Sequence, residues 1–324
     1  MLQLPDFKEK QIVFIGLNGL EALNSLKVKN ENLVVYDKFG DLVNQVSCSK
    51  IFAVFVVGTF TISSTLIKKL LSYGISLTMI SKGNFKVYAE IGVMAEGNYL
   101  LRANQYQFSE HLELSRRLLF NKISNQFMLL KELTPAFFVK KSRLQQLKDI
   151  KVKINNAKTI AELMGIEGAI SRAYFKILFK QHGWYKRLPR TKIDVNNLLL
   201  DIGYTLLFNF VDNLLRLHGF DTYKGIYHQL FFQRKSLTCD LIEPFRCIID
   251  KALIKAYNLK QIKGDSFKKT KTGYLLKPDQ QKLYIKIFAE AIMDRKEDIF
   301  KYVKAHYFSV LNQTDEYKAF NYKK

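Results

Sequence analysis

Hydrophobic and polar positions follow two regimes along the chain. Up to about residue 97 the apolar residues come in short runs rich in Val, Ile and Phe, separated by Gly, Asn, Asp and Lys. These runs predict strands at Gln11 to Ile15, Asn32 to Tyr36, Leu42 to Ser47, Ile51 to Val57, Ser76 to Ile80 and Phe85 to Ile91. One helix interrupts them, capped by Ser63 or Ser64 and stopped at Tyr73-Gly74. From Gln107 the spacing becomes helical, predicting helices over 109–133, 135–150, 159–181, 196–217, 240–257, 278–291 and 295–311. The expected fold is α+β: a small N-terminal β-rich domain (1–97), a hinge (98–106) and a larger all-α domain (107–324). Within the hinge, Arg102 and Gln105 suit either a DNA contact or a brace between the domains.

The helix over 159–181 contains an anomaly. Thr159 and Glu162 form a capping-box pattern, and Leu163, Met164, Ile170, Tyr174 and Leu178 then recur at helical spacing. Glu167 falls inside that apolar stripe, between Ile170 and Leu178 on the helix surface. A carboxylate on a core-facing side is costly unless it is paired, so Glu167 requires a partner, either a cationic side chain or a metal ion.

Composition narrows what the helices are for. The chain has 324 residues, 48% of them hydrophobic, with 51 Lys and Arg against 29 Asp and Glu, for a net charge of +22 and a pI near 9.7. Such an excess implies a polyanionic partner, and the longest apolar runs are too short for a membrane span of about 18 residues, which favours nucleic acid. Three cysteines, Cys48, Cys239 and Cys247, form neither a disulfide framework nor a zinc motif, and the N-terminus MLQLPDFKEK lacks a signal-peptide pattern, so a reducing, cytoplasmic setting is expected. Neither GLNGL (16–20) nor VGTFTISS (57–64) has the spacing of a phosphate-binding loop, and their glycines read as turns.

Basic residues cluster in the helical part at Arg116, Arg117 and Lys122, at Lys140, Lys141 and Arg143, at Lys186, Arg187, Arg190 and Lys192 beside Trp184 and Tyr185, and at Lys268, Lys269, Lys271 and Lys277. Each cluster alone is ordinary solvated surface, whereas four of them with aromatics between suit phosphates and stacked bases.

Among five histidines, His228 precedes a segment that ends in Asp240 and Glu243. Three residues apart, these acids share a helical face, and Asp250 approaches the same side. A structural reading competes: Asp240 as N-cap, Glu243 at N3 and Pro244 at N4 make a capping box. Glu167, His228 and Glu243 together form a mixed oxygen and nitrogen set that suits Mg²⁺ or Mn²⁺. In a basic protein such an ion would serve phosphoryl transfer. Ser171, one turn beyond Glu167, has no identifiable base.

Three blocks carry a family resemblance: GIEGAISRAYF (165–175), DVNNLLLDIGYTLL (194–207) and HQLFFQRKSLTCDLIEPFR (228–246). In this order they resemble the signature blocks of the CRISPR adaptation integrase, the Cas one protein. VGTFTISS, SLTMIS and GNYLLRANQY are similar to that family's N-terminal domain and hinge, so the resemblance covers essentially the whole chain. It implies an α-helical catalytic domain, a homodimer joined through the N-terminal domains, and assembly with the small Cas two subunit. By position it implies Glu167, His228 and Glu243 as catalytic metal ligands, with Asp240 as a nearby acid. Tyr174, Asn197 and Tyr204 match positions lining the DNA-facing site, and Arg234 and Lys235 fall where the family places a basic residue. Arg102, Lys268, Lys269 and Lys271 complete the expected DNA contacts. Cys247 stands where many members have proline, and the acid pair before the Phe-Arg is Glu243-Pro244 here. The length and the third block suggest a type V system. The implied reaction is attack of a captured DNA fragment's 3′-hydroxyl on a phosphodiester at a CRISPR repeat border. The alternatives are a non-catalytic nucleic-acid-binding protein and a hydrolytic metal-dependent nuclease.

Overall fold

A computed structural model describes residues 3–16, 25–37, 39–58, 61–81, 85–92, 95, 97–108, 111–134, 142–228, 231–314 and 316–323. In chain order its first elements are α1 (Leu4–Lys8), β1 (Gln11–Gly16), β2 (Ser25–Lys29), β3 (Asn32–Tyr36), β4 (Leu42–Ser47), β5 (Ile51–Val57), α2 (Ser64–Ser72), β6 (Ser76–Ile80) and β7 (Val87–Ile91). These form a four-stranded sheet in the order β1-β5-β6-β7, parallel except for β7, and a three-stranded antiparallel sheet β2-β3-β4. Strand β2, with lysines at alternate positions, has too weak an apolar signal to be found in the sequence. It is fixed by a two-residue hairpin in which Asn30 and Glu31 both take positive φ, as a turn between tightly paired strands requires.

Strand β5 is buried along its whole length, as expected for a central parallel strand covered on both faces. Val54 and Val56 face a core shared with α2 and the second sheet. Phe52, Phe55 and Val57 face the helices, where Phe52 meets Phe7 at 5.3 Å and Phe210 at 5.6 Å. The β-rich part and the helices therefore share one core.

The remaining elements are α3 (Tyr99–Gln107), α4 (His111–Leu133), α5 (Ser142–Asn156), α6 (Ile160–Leu178), α7 (Val195–His218), α8 (Ser236–Ile242), α9 (Arg246–Asn258), β8 (Phe267–Thr270), β9 (Gly273–Leu276), α10 (Gln281–Met293) and α11 (Lys296–Leu311). The expected hinge is helix α3. Its Arg102 donates to the Gly219 carbonyl at 2.9 Å and its Gln105 to the Asp221 and Lys224 carbonyls, so both side chains brace the loop after α7. Positions 135–141 of the expected helix 135–150, which include Lys140 and Lys141, lie outside the described residues, as do positions 17–20 and 59–60 of the two glycine motifs.

Helix α7 passes through the middle of the helical part. It is long and apolar enough to cross a membrane, contrary to the expectation that no run would be, but 83% of its apolar window is buried inside the protein. Its Gly203 admits α9 and α10: a Cβ there would stand 2.4 Å from Ile249 and 3.0 Å from Phe288.

Candidate metal and nucleic-acid site

Glu167 lies on α6 where that helix packs on α4 around Leu119, Ile123, Leu163, Ile166 and Ile170. Thr159 caps α6 by accepting from the Glu162 N–H, as the sequence pattern required. The partner that Glu167 requires is Lys122 of α4, whose ammonium donates to Glu167 Oε1 and stands 2.6 Å from Glu243 Oε2. One lysine thus bridges two of the three expected metal ligands. Tyr227 donates from its hydroxyl to Glu167 Oε2 at 2.5 Å. Burial alone would lower the Lys122 pKa, but Glu243 and Glu167 outweigh it and raise it.

Glu243 owes its position to a helix break. Pro244 has no N–H to continue the ladder, so α8 ends in a tight turn in which the Glu243 N–H bonds the Asp240 carbonyl, and residues 243–245 form a 3₁₀ turn before α9. The expected continuous helix 240–257 is therefore two helices. The expected capping box is also corrected: α8 begins at Ser236, so Asp240 lies inside it and Glu243 at its end. Burial raises the Glu243 carboxyl, but Arg246 at 3.0 Å and Lys122, with a smaller pull from His228, hold it down at about 2.

The fully buried Asp240 organises the loop after α7 instead. Its Oδ2 accepts from the Ile226 N–H at 2.6 Å and the Tyr227 N–H at 2.9 Å, and its Oδ1 accepts from the His228 N–H at 2.9 Å. The same Oδ1 lies 2.5 Å from His228 Nδ1. A carboxylate accepts, so this contact makes Nδ1 the donor, which in the neutral ring leaves the Nε2 lone pair available, the orientation that a carboxylate behind a metal-binding histidine imposes. Gly225 permits the close approach: a Cβ there would stand 2.5 Å from the His228 carbonyl oxygen and 2.9 Å from Asp240 Oδ2.

As donors, two carboxylates and one imidazole nitrogen fit Mg²⁺ or Mn²⁺. Glu243 Oε2 is buried and accepts no well-aligned hydrogen bond; its partner is the Lys122 ammonium at 2.6 Å, a cation in the position that calls for one. Among the described residues, no three His, Cys, Asp or Glu side chains converge as a chelating group. Lys122 stands between two of them.

Asp250 does not join the acids of the site. It is buried against α6 and α7, where Tyr174 donates to its Oδ2 at 2.7 Å and Tyr204 to its Oδ1 at 2.5 Å, and burial, opposed by these bonds, raises its pKa to about 6. Arg246 connects the two clusters: paired to Glu243, it also lies over the Tyr204 ring at 4.6 Å, and Arg187 lies over the same ring at 5.5 Å. Asn197 is buried and holds the 182–193 segment through Arg187, the Leu188 N–H and the Lys186 carbonyl. Lys235 is engaged by Glu90 of β7 and by Asp212 at 2.8 Å, while Arg234 donates to Ser236 and stacks on Phe231. Tyr174, Asn197, Tyr204 and Lys235 thus shape the protein around the site rather than present free groups to solvent. Lys268, Lys269 and Lys271 are exposed on the β8–β9 hairpin. Positions 229–230 of the third block lie outside the described residues.

Sequence reasoning did not single out Tyr227 or Arg246, and it placed Lys122 among surface charges. For Lys122 a signal existed: it follows Leu118 and Leu119 by four and three residues and precedes Leu129 by seven, a lysine in the core stripe of α4.

Residues 20–290 match the family model described as CRISPR associated protein Cas1. A CRISPR-associated endonuclease Cas1 of Thermodesulfovibrio yellowstonii is 29% identical over 290 residues, covering 84% of this chain and 88% of that protein. A CRISPR-associated protein Cas1 of Methanobrevibacter ruminantium is 28% identical over 291 residues, covering 82% of this chain and 84% of that one. Among solved structures, a CAS1 protein from Thermotoga maritima superposes with a TM-score of 0.79 at 19% identity, covering 97% of this chain and 100% of that one. A casposase bound to integration product superposes with a TM-score of 0.80 at 18% identity, covering 97% of this chain and 95% of the other. The Cas1 fold of strands followed by helices is therefore that of this chain.

Proposed function

This chain belongs to the Cas1 family of CRISPR-associated proteins, and from that premise we propose that it is a metal-dependent DNA integrase of CRISPR adaptation. The 3′-hydroxyl of a captured fragment attacks a phosphodiester at the repeat border: one P–O bond forms, the bond to the repeat's 3′-oxygen breaks, and the proton of the attacking hydroxyl is balanced by protonation of that leaving oxygen. The observation that supports this reading most directly is the placement of Glu167 and Glu243, on different helices, about one cationic centre, with His228 oriented by buried Asp240. Glu167, His228 and Glu243 would hold Mg²⁺ or Mn²⁺. When bound, the ion supplies Lewis-acid polarisation of the phosphodiester and stabilises charge on the reacting oxygens.

The chain's own residues perform the positioning. Asp240 fixes the histidine tautomer, Tyr227 orients Glu167, and Arg246 orients Glu243. The exposed lysines of the β8–β9 hairpin take phosphates, in keeping with the +22 net charge. Cas1 occurs in solved structures together with Cas2, as in a Cas6-RT-Cas1–Cas2 complex of 22% identity, TM-score 0.79, covering 98% of this chain and 36% of that one. A homodimer joined through the β-rich part, assembled with a small Cas2 subunit, is the corresponding form proposed here. The three described cysteines are free, in keeping with a reducing, cytoplasmic setting.

The test is incubation of a labelled fragment with a supercoiled repeat-bearing plasmid, Mn²⁺ and the small subunit. Joined product that disappears with Glu167→Gln supports the reading, and product that persists refutes it. The endonuclease name of the relatives favours hydrolysis as a second reading. Fragments with blocked 3′ ends separate the two, because joining then stops and hydrolysis continues.

A further inference from the structure

The oxygens of Glu167 and Glu243 are already distributed among partners within the chain. Tyr227 holds one oxygen of Glu167, Arg246 one oxygen of Glu243, and Lys122 faces the remaining oxygen of each. The two cations have different roles: Arg246 grips Glu243 alone, whereas Lys122 bridges both acids. The Lys122 side chain is 8% exposed and rises from the core stripe of α4, a position where an apolar residue would avoid the cost of burying charge. Its ammonium lies between the two carboxylates that would hold an ion.

We propose that Lys122 is a built-in counter-cation of the metal site, holding Glu167 and Glu243 together in the absence of an ion and competing with the ion for Glu167 Oε1 and Glu243 Oε2. This inference rests on the reading of those acids as metal ligands. Binding of an ion would then be an exchange of cations, in which Lys122 would yield the two carboxylates to it and His228 would be the third residue to hold it. A divalent ion has the greater charge and displaces the ammonium, while a monovalent ion has no such advantage.

The full chain and its Lys122→Met and Lys122→Arg variants are titrated with Mn²⁺ alone, reading the electron paramagnetic resonance signal of the free ion, and melted with and without Mn²⁺. Lys122→Met is expected to melt at lower temperature without the ion, to gain more from Mn²⁺ than the wild type does, and to bind it at least about tenfold more tightly. Lys122→Arg, which keeps the charge, is expected to bind within about threefold of the wild type. Should Lys122→Met be unfolded alone, recovery of its fold in millimolar Mn²⁺ supports the proposal, and failure to recover overturns it. Equal or weaker binding by folded Lys122→Met overturns the proposal but leaves the metal reading standing. Absence of saturable, Glu167→Gln-sensitive binding in the wild type overturns both.

Discussion

Asp240 offers the sharpest test of how the site is built, because a helix cap and a loop organiser respond differently to its removal. Asp240→Ala strips the partner from the buried N–H groups of Ile226 and Tyr227, from the partly buried N–H of His228, and from His228 Nδ1. A buried donor left unsatisfied costs about 1–3 kcal/mol, so the three amides alone set a range of about 3–9 kcal/mol. The loop end at His228 is partly exposed, with a side chain 22% accessible, and water can satisfy that end. The lower part of the range, about 3–5 kcal/mol, is therefore expected. At about 2 °C per kcal/mol for a large domain this is a fall of about 6–10 °C in melting temperature, more than the roughly 1 kcal/mol that removal of a helix cap costs. Asp240→Asn is predicted to separate stability from chemistry. Its carbonyl still accepts from the loop, but its amide donates to His228 Nδ1, moves the imidazole proton to Nε2, and blocks the lone pair. Mn²⁺ affinity, read by calorimetric titration, should drop about 10–100-fold with a smaller loss of stability than in Asp240→Ala. An Asp240→Ala variant that melts within 2 °C of wild type, by the ~2 °C per kcal/mol scale, and binds Mn²⁺ equally well would refute the assignment.

Three further outcomes follow from the geometry. Asp250, raised to about 6 from an ordinary 3.8, binds a proton more readily folded than unfolded, so its contribution to stability falls as pH rises from about 4 to about 6; over that window, at about 1.4 kcal/mol per pH unit, Asp250→Asn should remove up to about 3 kcal/mol of pH dependence, seen as a flatter curve in urea denaturation. Gly225→Ala should destabilise by about 1–3 kcal/mol and weaken Mn²⁺ binding, since its Cβ would press on the His228 carbonyl and Asp240; a variant with unchanged melting and affinity would show that the loop gives way without cost. Replacing Lys268, Lys269 and Lys271 together by Ala should leave melting unchanged and reduce the log-log salt slope of duplex DNA binding by about 0.9 for each phosphate that is no longer neutralised; an identical slope would remove the hairpin from the interface.

Much of this architecture is legible in the sequence because periodicity and capping are local. The strands, the Ser63 and Thr159 caps and the position of Glu167 in an apolar stripe depend on neighbours within a few residues, and the structure agrees with them except at Met164, which lies at the edge of that stripe and is exposed. The anomaly at Glu167 also dictated that a cation must answer it. Which cation stands there depended on how α4 and α6 pack, since Lys122 is 45 residues away and only their packing brings the two together. The same distinction explains Asp240. Its spacing to Glu243 fits a cap equally well in one dimension, and only the folding of the 225–228 loop onto α8 makes it the acceptor of that loop's N–H groups. Local pattern determines which residues cannot be left without a partner; the three-dimensional packing of distant segments determines which partner each one finds, because burial and pairing are properties of the assembled core.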